Sequence, residues 1–248
     1  YIIGSSYVLT VGTLMMMKTE GHKVASTSRT AIQGLLQGFS YLKKQRSISA
    51  VILLGVTMGL FGSSFDTLLP VFADEIYETG LDAGGRLLLG AGIGGLVATT
   101  AITLIGKRVR PALYLLIAGL GLGAAQLIFS RIDVIAIAVI VAGFIGGFKV
   151  VLGTMNTTVV QTLVDEEFRG RVMSINQLTW GASALGGLFM GYMAQRFDAP
   201  TAMTLGGAIA SLATILVGQR LVRSFGIGSK PRQESDSTEK SSARLNPH

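Results

Sequence analysis

The sequence contains no cysteine, and charged residues are scarce in it. Its 248 residues include no Cys and two His, and only 14% are Asp, Glu, Lys or Arg, against about 25% in an average soluble domain. Without Cys the chain can form neither disulfides nor thiolate metal sites. His22 and His248 lie in polar stretches, so we expect neither a metal ligand nor a catalytic base from them. No phosphate-binding loop of the form G-x-x-x-x-G-K-S/T occurs, and no cofactor is predicted.

Long apolar runs dominate what remains. Hydrophobic residues make up 49% of the chain, with 33 glycines and a mean hydropathy of +0.55. A membrane helix needs about 20 mostly apolar residues. Six stretches meet that test: Ile48–Phe72, Gly84–Gly106, Pro111–Ser130, Val134–Leu163, Val172–Ala194 and Thr201–Leu221. They are too long for strands and show no sustained alternation. The sequence therefore predicts an all-α polytopic membrane protein, with residues 1–17 as the end of a further span from a longer protein.

The basic residues predict the orientation of the spans. If the spans alternate in direction, 17 of the 21 Lys and Arg residues fall on one side. The other side holds Arg86, Arg131 and Arg196, and Lys149 lies inside a span. Positively charged connections stay in the cytoplasm. We therefore predict that loop 107–110, turn 165–171 and the C-terminus are cytoplasmic. The net charge of +7 marks topology in a lipid bilayer, and nucleic acid is not an expected partner.

The segments outside the spans divide into a link and a tail. Residues 18–46 form a predicted cytoplasmic link that precedes the spans of 47–222. Its second part is an amphipathic helix at the membrane interface, with one apolar face: Ile32, Leu35, Leu36, Phe39 and Leu42. Residues 223–248 are predicted to be a disordered cytoplasmic tail, because Ser, Lys, Glu and Pro dominate them.

Asp66 and Lys149 are lone charges within apolar helices. A charge inside a membrane is costly and usually faces a cavity or a partner. Asp66 lies eight residues before Asp74, about 12 Å along a helix, and Lys149 lies sixteen residues after Asp133, about 24 Å. This depth count does not bring the two charges into direct contact. We predict roles in binding substrate or in proton coupling for both, with a position near the outer surface as the alternative for Asp66.

Two further residues within the spans are candidates for the same site. Asn156 is polar but neutral, so it suits either the lining of a cavity or a hydrogen bond between helices. Trp180 falls well inside its span, away from the interfacial belt that tryptophan usually occupies. It is predicted either to stack on a substrate or to pack between helices.

The turn at 165–171 carries an unusual density of charge. Asp165, Glu166 and Glu167 stand beside Arg169 and Arg171, between two long uncharged stretches. Topology requires only the basic residues, since acids contribute little to it. The acids therefore favour a cytoplasmic latch in which carboxylates and guanidiniums join helices. The alternative is an ordinary positively charged turn.

Glycines four residues apart recur along the spans. "GAGIGG" at 90–95 matches the dinucleotide-binding pattern, but it lies inside a membrane span rather than after a strand. Small residues at this spacing allow helices to approach closely. We predict helix packing at three such pairs: Gly90 with Gly94, Gly143 with Gly147, and Gly187 with Gly191.

Several stretches together resemble a known family. "QTLVDEEFRGRVMSINQLTWGASALGGLFMGYMAQRF", "GLLQGFSYLKKQRSI", "LLPVFADEIY" and "GAGIGGLVA" are similar to the major facilitator superfamily, in its enterobactin exporter and macrolide efflux group, the transmembrane secretion effectors. Members commonly have Pro where this chain has Asp165. The turn "GKRVRP" is a poor copy of the basic motif of the superfamily, so a second, symmetric latch is not expected.

The resemblance implies a fold and a function. Such transporters have two six-helix halves with a substrate cavity between them. Residues 1–17 then correspond to the end of helix six, 18–46 to the link between halves, and 47–222 to helices seven to twelve, with the N-terminal half missing. The seventh and tenth helices of the superfamily line the cavity, which places Asp66 and Lys149 there.

The function expected from this resemblance is secondary active transport. We expect a proton-coupled exporter of a drug-like or siderophore-like small molecule in the bacterial cytoplasmic (inner) membrane, working by alternating access. A non-transporting sensor on the same fold is one alternative. An intramembrane enzyme is the other, and it lacks support because no span contains His or Cys and no G-x-S-x-G occurs.

Overall fold

The chain is helical almost throughout the residues that its structure describes. The computed structural model describes residues 12–13, 28–77, 81–105 and 111–225. None of these residues lies in a strand, which confirms the all-α fold. Residue contacts divide the chain into two units, Tyr1–Gly34 and Leu35–His248. The described part of the first unit is Gly12, Thr13 and the beginning of one helix. The second unit contains every site discussed below.

Eight α-helices are described. They are α1 Ser28–Lys44, α2 Arg46–Thr57, α3 Ser64–Val71, α4 Leu81–Ile105, α5 Pro111–Phe129, α6 Ile135–Leu163, α7 Arg169–Arg196 and α8 Ala199–Phe225. A π-helical turn, Met58–Gly62, connects α2 to α3, and a second one, Phe72–Ile76, follows α3. A 3₁₀ turn, Glu166–Phe168, precedes α7.

Five helical stretches in the described part of the chain are long and apolar enough to cross a membrane. They are Arg46–Ile76, Asp82–Ile105, Pro111–Phe129, Ile135–Leu163 and Ala199–Arg220, and they match five of the six predicted spans. The protein is therefore a multi-pass membrane protein. The sixth predicted span, Val172–Ala194, lies within α7, which has 28 residues but is not among the five. Its many Gly, Ser, Thr, Asn and Gln residues lower its hydropathy.

The helices pack around a common apolar core. The most extensive contacts join α4 to α6, α6 to α5, and α5 to α8. Phe65 and Phe72 both meet the buried ring of Phe129 edge-on, at centroid distances of 5.2 and 5.1 Å. Edge-to-face pairs add to the stabilisation that burial provides. Large apolar side chains also cover the outside of α4, including Leu88, Leu89 and Leu96, as expected where a helix faces lipid.

Helix ends differ slightly from the predicted boundaries. α8 begins after Asp198, whose Oδ1 accepts a hydrogen bond from the N–H of Thr201 at 2.5 Å. This bond, at a position exposed to water, lowers the pKa of Asp198. α8 continues to Phe225, so the first three residues assigned to the tail 223–248 are helical. Most of 1–17, loop 107–110 and 226–248 lie outside the described residues, and those predictions stay predictions.

α1 coincides with the amphipathic helix predicted in the link. Of its apolar face, Leu42 is buried, whereas Leu36 and Phe39 are exposed. Gly38 faces α7, since a Cβ there would lie 2.8 Å from Cδ1 of Ile175. α1 therefore contacts α7 through Gly38 and leaves two large apolar side chains on another face.

Candidate functional site: an ion pair between two membrane helices

Asp66 lies just after an interruption in its membrane helix. The π-helical turn Met58–Gly62 and Ser63 separate α2 from α3, and Asp66 stands in the first turn of α3. Its N–H donates to the carbonyl of Ser63 at 3.1 Å. π-helical turns within α-helices are frequent at functional sites. The interruption sets the direction in which Asp66 leaves the helix.

Lys149 pairs directly with Asp66. Lys149 lies near the middle of α6, and its Nζ donates a hydrogen bond to Oδ2 of Asp66. The exposed fractions of the two side chains are 32% for Lys149 and 52% for Asp66. The pair is thus open to the space beside the helices, where another molecule can reach it. The depth count, which did not bring the two charges into contact, was wrong.

The direction of the two side chains explains this difference. Tyr77 donates to the carbonyl of Ile132 at 2.8 Å, so these residues mark one level. Asp66 lies 11 residues from that level and Lys149 lies 17, about 16 and 25 Å in straight helices. Cα–Cβ bonds lean toward the helix N-terminus, and α3 and α6 run in opposite directions. The two side chains therefore lean toward each other, and the long lysine chain spans the remaining distance.

The hydrogen bond from Tyr77 to the carbonyl of Ile132 does not change with pH in the physiological range. Tyr77 is buried, and this burial, together with the negative charge of Asp133, raises the pKa of Tyr77 to about 12. Its phenol therefore remains protonated, and remains a hydrogen-bond donor, at any physiological pH.

Two cavities border the ion pair. One has a volume of about 400 Å³ and is lined by Asp66, Lys149 and small residues of α4 such as Gly92 and Gly95. The other has about 100 Å³ and is lined by Lys149 together with α2, α6 and α7. Its polar lining residues are Ser63, Asn156, Thr157, Thr179 and Ser183. The lysine borders both spaces, so a change in its partner alters both.

Asn156 lines the smaller cavity but already has a partner. It is buried, and its Nδ2 donates to the carbonyl of Val51 at 3.0 Å. A Cβ added at Gly55 would lie 3.2 Å from the same nitrogen. Asn156 thus joins α6 to α2 while it lines the smaller cavity. The side chain of Trp180 lies outside the described residues, so its predicted role stays a prediction.

The charged turn before α7 contacts α1 mainly through aromatic side chains. Tyr41 donates to Oδ2 of Asp165 at 3.0 Å, and its ring stacks on Phe168 with centroids 4.5 Å apart. The guanidinium carbon of Arg171 lies 5.4 Å from the centre of the Phe168 ring. We call these four residues the link–turn contact. Burial raises the pKa of Tyr41 above 10.0, so it remains the donor.

The predicted latch therefore has a different chemistry from that expected. In the described part of the chain, the turn contains one ion pair, Arg169 with Glu166, at 3.9 Å and largely exposed. It joins two residues of the same turn and bridges no helices. Glu167 is exposed and Arg171 contacts a ring. Sequence reasoning missed Tyr41 and Phe168, although an aromatic residue in each segment was a visible signal of stacking.

The glycines of α4 and α6 lie where those helices touch. A Cβ at Gly90 would collide with the carbonyl oxygen of Val139, and one at Gly94 with that of Gly143. Added Cβ atoms at Gly143 and Gly147 would lie 3.3 and 3.2 Å from the carbonyl oxygens of Gly90 and Gly94. Side chains at these positions would force α4 and α6 apart.

The third glycine pair differs from the prediction. Among the described atoms, none lies within 4 Å of a Cβ built on Gly191, so no close packing requires glycine there. A Cβ on Gly187 would lie 3.0 Å from Oγ1 of Thr67, whereas one on Gly186 would collide with the carbonyl oxygen of Leu60. The tight approach of α7 to the Asp66 segment thus falls one residue earlier.

Comparison with known proteins identifies the family. Residues 2–242 match the transmembrane secretion effector family of the major facilitator superfamily. The chain belongs to this family. Such membership indicates a transporter rather than an enzyme.

One relative of the chain is distant in sequence. The Staphyloferrin A transporter of Staphylococcus aureus (strain NCTC 8325 / PS 47) is 26% identical over 159 residues, which is 63% of this chain and 39% of the relative. The alignment thus spans less than half of the relative. No solved structure matches the chain significantly.

Proposed function

We propose that this chain is the C-terminal six-helix half of a secondary transporter that exports a small molecule. The single observation that carries the proposal is the ion pair between Asp66 and Lys149, two lone charges in apolar helices that meet beside cavities. Charges inside a membrane mark substrate and ion pathways. The driving force is the proton gradient, and the mechanism is alternating access between this half and a partner half of six helices.

The ion pair suits coupling because its two members can be separated. A proton on Asp66 removes the negative charge and releases Lys149. An anionic substrate group can then bind the lysine, whereas a cationic group competes for Asp66 instead. Only a ligand that interacts differently with two states can shift the balance between them. The two states here are the paired and the separated charges.

The residues that line the cavities and the distant relative both support the proposed class of substrate. The cavities combine apolar walls with a few hydroxyl groups and one amide, which suits a drug-like or siderophore-like molecule. The name of the Staphyloferrin A transporter supports the siderophore-like class. Asn156 and Trp180 are proposed to line the same pathway.

We place the transporter in the bacterial inner membrane with the turn before α7 and the C-terminus in the cytoplasm. The charge bias of the connections supports this orientation. Glu167→Cys introduces a single thiol at an exposed position of a protein without Cys. We expect an impermeant maleimide to label it in inverted vesicles and not in intact cells. Labelling from outside intact cells would reverse the orientation.

The coupling proposal is tested by transport in proteoliposomes that contain the complete protein. The probes are staphyloferrin A and the cation ethidium, each measured across a range of external pH. Asp66→Asn and Lys149→Ala are both expected to lower the initial rate by about tenfold or more, which corresponds to about 1.4 kcal/mol in the barrier. Lys149→Arg keeps the positive charge in a head group of different geometry, so it should recover only part of the rate and retain the pH dependence, which in this proposal arises at Asp66.

Asp82→Asn is the matched control, because it neutralises an exposed carboxylate at the beginning of α4, away from both cavities. We expect the control to transport at the wild-type rate. Wild-type rates and pH profiles in Asp66→Asn and Lys149→Ala would show that the pair is structural. If the wild type transports neither staphyloferrin A nor ethidium, the result would favour a sensor over a transporter.

A further inference from the structure

A third cavity, also with charged walls, lies where α1 ends, α2 begins and α8 approaches its end. Its volume is about 500 Å³, within the range typical of small-molecule sites. Three cations line it, Lys43, Arg46 and Arg220, together with Ser47 and Leu53. It shares no lining residue with the ion-pair cavities. It is called the basic cavity below.

The three cations of the basic cavity lack a counter-charge within the described part of the chain. The ion pairs found there are Lys149 with Asp66 and Arg169 with Glu166, and neither involves Lys43, Arg46 or Arg220. All three side chains are exposed. Like charges around one cavity repel each other, and an anion between them removes that cost. The charge of the cavity therefore selects an anionic ligand.

The position of the basic cavity relative to the membrane spans indicates which kind of anion it binds. Arg46 is the first residue of one candidate span, and Arg220 is the last residue of another. Both spans thus reach the membrane surface at this cavity. Seven residues beyond Arg46, about 10 Å deeper, Leu53 lines the cavity and has an exposed fraction of 56%. Leu216, one helical turn from Arg220, is 53% exposed.

This arrangement matches an amphiphile rather than a small free anion. Cations lie at the end of the spans, and exposed leucines continue from them toward the middle of the membrane. A free phosphate would use the cations and leave the leucines without a role. Basic pockets between membrane helices on the cytoplasmic side are suited to lipid head groups.

We propose that the basic cavity binds an anionic phospholipid. The phosphate of the head group lies between Lys43, Arg46 and Arg220, and an acyl chain lies along Leu53 and Leu216. The bound lipid joins the end of the link helix α1 to α2 and α8. This inference does not depend on the proposed transport function.

The experiment measures lipid retained by the purified complete protein. Protein is exchanged into detergent with phosphatidylglycerol or phosphatidylcholine, and bound lipid is counted by native mass spectrometry. The test variant is Lys43→Gln/Arg46→Gln/Arg220→Gln. We expect wild type to retain phosphatidylglycerol and the variant to bind it about a hundredfold more weakly, at roughly fivefold for each cation near the surface. Retention of phosphatidylcholine should be weak in both proteins.

The matched control is Lys44→Gln/Arg86→Gln/Arg196→Gln, which removes the same number of lysine and arginine charges at exposed positions outside the cavity. We expect it to bind phosphatidylglycerol like wild type. An equal loss of binding in the control would overturn the proposal, because attraction would then depend on total charge. A monodisperse elution profile for each variant confirms that it is folded.

A second arm separates a lipid from a free phosphate. Inorganic phosphate at millimolar concentration is expected not to displace phosphatidylglycerol, and Leu53→Ser is expected to weaken lipid retention without removing any charge. If phosphate displaces the lipid and Leu53→Ser has no effect, the cavity is a site for free anions and the lipid proposal is wrong.

Discussion

The ion pair and the link–turn contact use charge in opposite ways. Two isolated charges, Asp66 and Lys149, lie far apart in the sequence and yet pair directly. Five charges crowd the turn at 165–171, and the contact between helices there depends on Tyr41 and Phe168. An isolated charge in an apolar span needs a partner, whereas charges in water are already solvated and gain little from pairing. Local density of charge in a sequence therefore says little about where charges pair.

Reversing one charge of the ion pair is expected to have the largest effect on transport and on stability. Asp66→Lys would place two cations together beside apolar helices. We expect transport by the complete protein to fall by about tenfold or more, or 1.4 kcal/mol in the barrier, with a lower unfolding temperature. The double variant Asp66→Lys/Lys149→Asp restores opposite charges. It should recover the unfolding temperature, and failure to do so would mean that the orientation of the pair also matters.

The link–turn contact should depend on its stacked rings as well as on the hydrogen bond to Asp165. Tyr41→Phe keeps the stack and loses the hydrogen bond to Asp165, at a cost of about 1 kcal/mol. Tyr41→Ala also loses the aromatic pair, worth about 0.5 to 1.5 kcal/mol more. Thermal unfolding in detergent is the measurement. Equal destabilisation by the two variants would show that stacking on Phe168 contributes nothing.

A third kind of charge acts through a hydrogen bond rather than an ion pair. Asp198 caps α8, so Asp198→Ala should destabilise the protein by about 1 kcal/mol. Its pKa is lowered by the N–H of Thr201, so its contribution is present above the unfolded pKa of 3.8 and is lost as the pH falls below it. Asp198→Asn keeps a capping oxygen and should retain most of the stability at neutral pH. Unfolding temperatures across pH 3 to 7 provide the check.

The smallest effect is expected for the exposed arginine of the turn. Arg169→Ala removes an ion pair at 3.9 Å in water, worth about 0 to 0.5 kcal/mol. Arg171→Ala removes a cation from the face of Phe168, worth about 0.5 to 1 kcal/mol. We expect transport and stability to fall more for Arg171→Ala. A larger loss for Arg169→Ala would support the original charge-paired latch.

The sequence predicted the membrane spans well because their signal is local. Long apolar runs identify a membrane helix wherever they occur, and five spans were found within a few residues of their ends. α7 was less clear, because its polar and small residues suit helix contacts better than lipid. Packing glycines were recognised on α4 and α6, but on α7 the pattern gave Gly187 where the tight approach is at Gly186. With glycines adjacent, spacing alone does not choose between them.

The candidate site was predicted in part. The chemistry of lone charges pointed to Asp66 and Lys149, but straight-helix distances did not bring them together. Side-chain direction and the interruption between α2 and α3 decide that contact, and local composition predicts neither of them. The partner of Asp165 is Tyr41, 124 residues away. A pairing at such a distance along the chain depends on the whole arrangement of helices.

The π-helical turn Met58–Gly62 has a consequence for insertions and deletions. Each residue of an α-helix advances the chain by about 100° around its axis, so the face on which Asp66 emerges depends on how many residues precede it. A wide turn accommodates one residue more than an α-helical turn does. Deleting Gly59 would let the helix continue regularly and would leave Asp66 near its present face, whereas deleting a residue from the regular part of α2 would rotate Asp66 by about 100° away from α6. The wide turn therefore absorbs a change of one residue that a regular helix would convert into a rotation of Asp66.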